Sequence, residues 1–348
     1  MTGVDGLLGK LNAGGTLDSH GTFTIDLKSA QEKLEKYRLA TPQHYILSLL
    51  SAAIHSGAKT FLLERSGAEC RVGFDGRPYI RSELKGLIEN MVLGTMGADP
   101  RLNDLGIALQ GARSLKPRSL RIESSGAEKG VLLSVESNRV TIAPAVPSEA
   151  GGFVTQFRVK EGSYGPVRVF LAGLGLTGQE EAKLLKKRAR YATCEVFVGS
   201  EKINNNRLGP WTLAAKLEGG PQMPKFALSS ERLFPIKSDD TVSGYIGFGP
   251  EVGGWIIVEN GTTFQLSTEH SIYPTSRAVL YTKGLNQNLS GTGLVQNKMF
   301  QLLAGVVDKH LDSLVLRTKS CDRGLSLEAK ELLKPLVTIA RSRRAVQV

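Results

Sequence analysis

The chain has 348 residues, with 44 Lys plus Arg against 33 Asp plus Glu and a net charge of +11. Its 41% hydrophobic and 22% charged residues are near globular averages, which excludes wholesale disorder, and the length fits roughly two domains. No apolar run approaches the roughly 18 residues a membrane helix needs, the first twenty residues read as no signal peptide, and no membrane association is expected.

In chain order, the glycines at 3, 6, 9, 14, 15 and 21 mark residues 1–21 as a flexible Gly-rich arm. Thr22–Leu27 alternates like a strand, and Lys28–Leu39 reads as a helix. Thr41-Pro42 gives an N-cap and a first-turn proline, opening a helix to about Ala58 that is apolar nearly all round and so belongs at the centre of the fold. Strands are expected at 60–64 and 69–74, then a turn at Asp75-Gly-Arg-Pro78 and a helix over 82–91. Gly94, Gly97, Gly106 and Gly111 mark 94–111 as a loop built for mobility or for close backbone approach. Strands follow at 120–124, 131–137, 139–143, 153–159 and 167–171, then a helix over 179–191 and a strand at 195–198. Asn204–Pro210 reads as the internal boundary. Beyond it come strands near 241–248, 255–258, 262–266 and 278–281 and a helix over 297–316. A last helix is capped by Ser326, is disturbed at Pro335 and ends in Arg341, Arg343 and Arg344.

Three cysteines far apart, Cys70, Cys194 and Cys321, argue against a disulfide framework and for a reducing cytoplasm. The five histidines show no ligand spacing, so no metal site is expected, and His55 on the central helix reads as a satisfied core residue. Gly173-Leu-Gly175-Leu-Thr-Gly178, between a strand and a helix, has the context of a dinucleotide-binding turn, whose glycines let the backbone approach a pyrophosphate. A plain glycine turn is favoured over it. Lys183, Lys186, Lys187, Arg188 and Arg190 lie near a helix C-terminus, where cations are favoured without any ligand. At 6% aromatic residues, the chain is poor in base-stacking surface.

The helix at 41–58, the Phe74–Pro78 turn, the glycines of 94–111 and the strand near 152–159 occur in the order of one known architecture. They resemble the ATP-binding GHKL superfamily of DNA gyrase, the ninety-kilodalton heat-shock chaperone, histidine kinases and MutL. Leu285-Asn-Gln-Asn-Leu-Ser-Gly-Thr-Gly-Leu-Val-Gln-Asn-Lys298, leading into a long helix, is similar to the chaperone's middle-domain signature. The implied fold is α+β: an N-terminal GHKL-like α/β sandwich over 22–205, a smaller middle-domain-like α/β unit over 206–320, and a C-terminal helix and basic tail over 321–348. The chaperone's dimerisation domain has no counterpart, so constitutive dimerisation through it is not expected.

The resemblance also implies where nucleotide chemistry would sit, and those positions are degenerate. The family's catalytic Glu falls on Ser48 and its magnesium-holding Asn on Ala52; neither replacement does the original's work. Phe74 stands for the adenine-binding Asp, with Asp75 and Gly76 beside it, and is expected to occupy the adenine position with its apolar neighbours. The lid glycines survive only as Gly106, and the γ-phosphate contacts fall on Gly291 and Val295. Ser48, Ala52, Asp75, Gly76 and Gly106 are thus candidate nucleotide-binding positions without catalytic residues. The expectation is a non-catalytic chaperone-like scaffold that binds a protein partner or client, with no cofactor, and with ATP and nucleic acid disfavoured. The alternatives are a dinucleotide-dependent enzyme using Gly173, Gly175 and Gly178, or a DNA-associated module of the gyrase and MutL type.

Overall fold

A computed structural model describes residues 42–93, 95, 97–126, 130–136, 139–145, 153–161, 179–204, 206–250, 253–288 and 293–346. The arm at 1–21, the elements expected at 22–39, the strand at 167–171 and the turn Gly173–Gly178 lie outside them. Within them the protein is α+β, with two mixed sheets and helices.

The first sheet has eight strands: β1 (Thr60–Ser66), β2 (Glu69–Phe74), β3 (Ser119–Ser125), β4 (Gly130–Glu136), β5 (Arg139–Ala145), β6 (Thr155–Lys160), β7 (Glu195–Val198) and β8 (Glu201–Lys202). Their order is β5-β4-β3-β6-β2-β1-β7-β8. Every pairing is antiparallel except β1 with β7. Register follows the alternation of the sequence. Leu63, Val72, Phe157, Ile122 and Leu133 align across five strands on a buried face. The next row, Glu64, Arg71, Arg158 and Arg121, lies on the polar face.

Four helices accompany this sheet: α1 (Tyr45–His55), α2 (Arg81–Leu93), α3 (Pro100–Ser114) and α4 (Glu180–Arg188). As its composition demands, α1 buries residues on every side, among them Tyr45, Ile46, Leu49, Leu50, Ala52 and Ala53. The segment expected to be a loop is instead largely α3. Asp99 caps it by accepting from the Arg101 amide at 2.9 Å, with Pro100 in the first turn. Leu105, Ala108, Leu109 and Ala112 recur at helical spacing and are buried.

The second sheet comprises β9 (Trp211–Glu218), β10 (Ser230–Lys237), β11 (Val242–Phe248), β12 (Gly254–Glu259), β13 (Thr262–Leu266) and β14 (Ser276–Thr282), in the order β10-β9-β11-β14-β12-β13. The sequence reading missed β9 and β10. One face carries Leu213, Leu217, Ile246, Phe248, Ile257 and Leu280, packed with Leu303, Val307, Leu311 and Leu314 of α5 (Lys298–Ser320) and with α6 (Leu327–Val346). Asn297 caps α5 through the Phe300 amide, and Ser326 accepts from the Ala329 amide at the start of α6. Pro335 lies inside α6, whose helix continues through it. Among the described residues no helix is long and apolar enough to cross a membrane.

Candidate functional site

Of the five candidate positions, Ser48 and Ala52 lie on α1, Asp75 and Gly76 in the turn after β2, and Gly106 on α3. Asp75 and Gly76 follow β2, and the turn is tied to the end of α1 by the Arg77 amide donating to the Ser56 carbonyl at 2.8 Å. The Asp75 carboxylate accepts the Lys59 and Thr60 amides at 2.8 and 2.7 Å, so its Oδ1 is engaged in fixing the start of β1. A Cβ on Gly76, where φ is +108°, would fall 2.7 Å from the Ser56 carbonyl oxygen. That approach requires glycine.

Ala52 has no exposed surface and lies in one core cluster with Phe74, Leu105 and Ala108. The Phe74 ring is fully buried and stacks on Phe61 at 6.3 Å. Gly106 sits within α3 and not in a loop. A Cβ there would meet Leu87 Cδ1 at 3.0 Å, so this glycine lets α3 approach α2 closely. Ser48 is half-buried on α1. Of the second group of positions, Gly291 lies outside the described residues. Val295 is 40% exposed, in a hairpin where the Val295 amide bonds the Asn286 carbonyl.

Beside these positions lies a polar cluster that the sequence reading did not foresee. Asp104 on α3 accepts the Ser51 hydroxyl at 2.6 Å and pairs with His55 Nδ1 at 2.8 Å through the same oxygen. The Asp104 hydrogen bond raises the His55 pKa above its ordinary value, against the opposing effect of burial, and the Asn260 side chain adds a further bond. Asn260 belongs to the β12–β13 turn, whose Gly261 has φ +79° and packs on Ile54 and Leu50 of α1. The groups acting on His55 are therefore Asp104, Asp99 and the buried Glu259 next to that turn. Ser51, His55 and Asp104 resemble a hydrolytic triad in composition only. The hydroxyl donates to the carboxylate and not to the imidazole, so the imidazole is not placed to activate it.

A second buried network fastens the turn after Gly76. Arg101, 3% exposed in its side chain, pairs with Glu83 and with Asp99 at 3.3 Å and donates to the Pro78 carbonyl at 3.2 Å. Its guanidinium lies 4.7 Å from the centre of the Tyr79 ring, and burial pushes the Tyr79 hydroxyl pKa up. On the other side of α1, Tyr45 donates to Cys70 Sγ at 3.2 Å, and Arg65 bridges Glu161 and Glu181. Burial pushes the Cys70 thiol up to about 12, which keeps it protonated and unreactive at neutral pH.

The helix that follows the glycine turn is α4, with Glu180 and Glu181 in its first turn. A cavity of about 340 Å³ beside it is lined by Arg65, Glu181, Lys183 and Lys186 among others. Two carboxylates already occupy the positive end of the helix dipole and oppose a second anion there. The basic run is dispersed over different partners: Lys183 pairs with Glu180 at 3.1 Å and Lys186 with Glu201 at 2.6 Å. Arg188 lies over the Phe264 ring at 4.5 Å. Compared with known protein families the chain matches none, and compared with curated protein sequences it again matches none.

Proposed function

We propose that this protein is a non-catalytic, chaperone-like scaffold on a degenerate GHKL-like fold, acting by binding a protein partner. The observation that carries this reading is the state of α1. It keeps the central, fully packed place that the resemblance assigns to the nucleotide-binding helix, while presenting Ser48 and buried Ala52 where a base and a metal ligand are needed. The same economy extends to its neighbours. Asp75 is engaged by two backbone amides, Phe74 is buried, and Gly106 serves helix packing. A group that must coordinate magnesium or polarise water needs an oxygen or nitrogen facing a solvent-filled space, and a methyl in a closed core supplies none.

Isothermal titration with magnesium and ATP should give no saturable heat at micromolar nucleotide, and phosphate release should stay at the buffer rate. Micromolar binding followed by turnover overturns the reading. On the partner side, substoichiometric protein should delay the thermal aggregation of an unrelated client equally with and without ATP. An unaltered aggregation rate at a tenfold molar excess argues against client binding.

A further inference from the structure

We infer that the β12–β13 turn and the C-terminal end of α1 form a proton-controlled latch between the two sheets, closed while the His55 imidazole is a cation and loosened when it is neutral. The latch is a property of the joint between the sheets and stands whatever the fate of the scaffold reading.

The topology makes this hairpin the part of the second sheet most able to move. Among the described residues β13 pairs only with β12, at the end of the strand order. It also rests on helices of the first sheet. The Arg188 guanidinium of α4 lies 4.5 Å from the centre of the Phe264 ring, and Gly261 lies against Ile54 and Leu50 of α1. Asn260 and Gly261 form the turn itself, with φ of +50° and +79°, values that these two residues adopt at little cost. An edge hairpin bonded on one side opens at a lower free energy than the strands inside the sheet, so its contacts with α1 weigh heavily in whether it stays closed.

The proton acts at one nitrogen. Asp104 Oδ2 accepts the Ser51 hydroxyl at 2.6 Å and lies 2.8 Å from His55 Nδ1. A carboxylate oxygen only accepts, so Nδ1 keeps its proton in both charge states and Nε2 is the atom that titrates. Nε2 is thereby left to Asn260, whose side chain bonds the imidazole. In the cation, Nε2–H donates to the Asn260 side-chain oxygen in a charge-assisted bond. In the neutral ring Nε2 is an acceptor, so the Asn260 amide must turn over and donate, in a bond about half as strong. Loss of the proton weakens the latch without cutting it. The charged groups around the ring favour the cation. Asp104 and Asp99 face it from α3 and its cap, Asp99 being paired with Arg101. Glu259 faces it from the hairpin, its buried carboxylate accepting the Thr282 hydroxyl and the Gly284 amide. In the loop beyond α1, Asp75 is engaged by the Lys59 and Thr60 amides. The raised His55 pKa has the matching sign: a contact that holds the proton is itself strengthened by it. Closure is fullest below the ordinary imidazole value of 6.5 and fades as pH rises through the higher folded value.

The test is hydrogen exchange on the full chain, read by mass spectrometry and corrected for the intrinsic pH dependence of exchange. Protection of the hairpin amides over 255–266 should fall roughly fivefold between about pH 5.5 and about pH 9, beyond any change in α5, which packs in the other core. Asn260→Gly deletes the side chain at a φ that glycine accepts. It should remove this extra loss and lower the His55 pKa read from its imidazole resonances. A merely structural Asn260 would instead lose protection equally at both pH values and leave the imidazole titration in place. That result overturns the inference, as does hairpin protection that follows α5 at every pH. Should Asn260→Gly fail to fold, His55→Gln, which cannot titrate, decides the matter. The extra loosening should vanish in that variant, and its persistence overturns the inference.

Discussion

Both sheets are fastened to their helices by polar networks, but they leave open space in different places. Around the first sheet, buried polar groups are joined to one another in closed networks: Ser51 and His55 on Asp104, Arg101 between Glu83 and Asp99, and Arg65 between Glu161 and Glu181. These fix helix to helix and turn to helix. On the second sheet the α5 face is closed by apolar side chains together with Asp308, bonded to Ser271, and Asp312, held between Tyr273 and Arg343, while the opposite face leaves a cleft with an arginine at its end. Both regions hold open space, the first a cavity of about 340 Å³ beside α4 and the second a cleft of about 330 Å³, while Ala52 and Phe74 among the motif positions are packed shut. A motif order reports how a chain is arranged in layers; whether a pocket is open depends on the size of the few side chains that meet there.

The comparison is broken most severely at Arg101. Replacing it with Met removes its bonds to Glu83, Asp99 and the Pro78 carbonyl and should cost about 3 kcal/mol in chemical denaturation, the low end for a broken buried pair, because Arg77 still pairs with Glu83 at 2.8 Å. A variant within about 1 kcal/mol of the parent would show the network to be dispensable. Next in size is Gly261→Ala, which places a Cβ 2.1 Å from Ile54 Cδ1 at a positive φ. A loss of about 1–3 kcal/mol is expected, read as a lower thermal midpoint.

The His55–Asp104 pair should give a smaller, pH-dependent term. The folded pKa of His55 is raised, so the pair's contribution is fully present below the ordinary imidazole value of 6.5 and fades as pH rises through the folded value. Denaturation of the parent should therefore show stability lost on going from acidic to alkaline pH across that range, and Asp104→Asn should flatten the dependence. An identical pH profile in the variant would remove the pair from the account. Thiol labelling supplies a contrast in rate: exposed Cys321 should react promptly with a disulfide reagent, while buried Cys70 and Cys194, both pushed up to about 12, should wait for unfolding. The smallest effect is expected at Lys186→Ala, whose surface pair with Glu201 should contribute less than about 1 kcal/mol.

Much of the secondary structure was legible because its signals are local. The apolar wrap of α1, the alternation of β2, β3 and β4, and the cap at Ser326 depend on a few neighbouring residues. The same kind of signal was present for α3, in Asp99-Pro100 and in the spacing of Leu105, Ala108, Leu109 and Ala112. The glycines outweighed it as signs of a loop, and of the two uses expected of them Gly106 serves close approach, of α3 to α2. In β9 every residue from Trp211 to Ala215 is buried, so the strand shows no alternation to read. Its neighbour β10 does alternate and holds Pro235, which the strand tolerates as the sheet's edge.

The sequence by itself determined the α+β class, the central place of α1, the most evident strand and helix boundaries, and the absence of acidic and amide side chains at Ser48 and Ala52. These follow from residue identity and short-range periodicity. Only the tertiary structure decided that Ser51 and His55 share one carboxylate 49 or more positions away, that Asn260 reaches that imidazole, and that Trp211, Gly254 and Arg277 border one cleft. Such groupings depend on strand register and helix approach. Both are set by the summed packing of the whole core, to which no single local pattern is a guide.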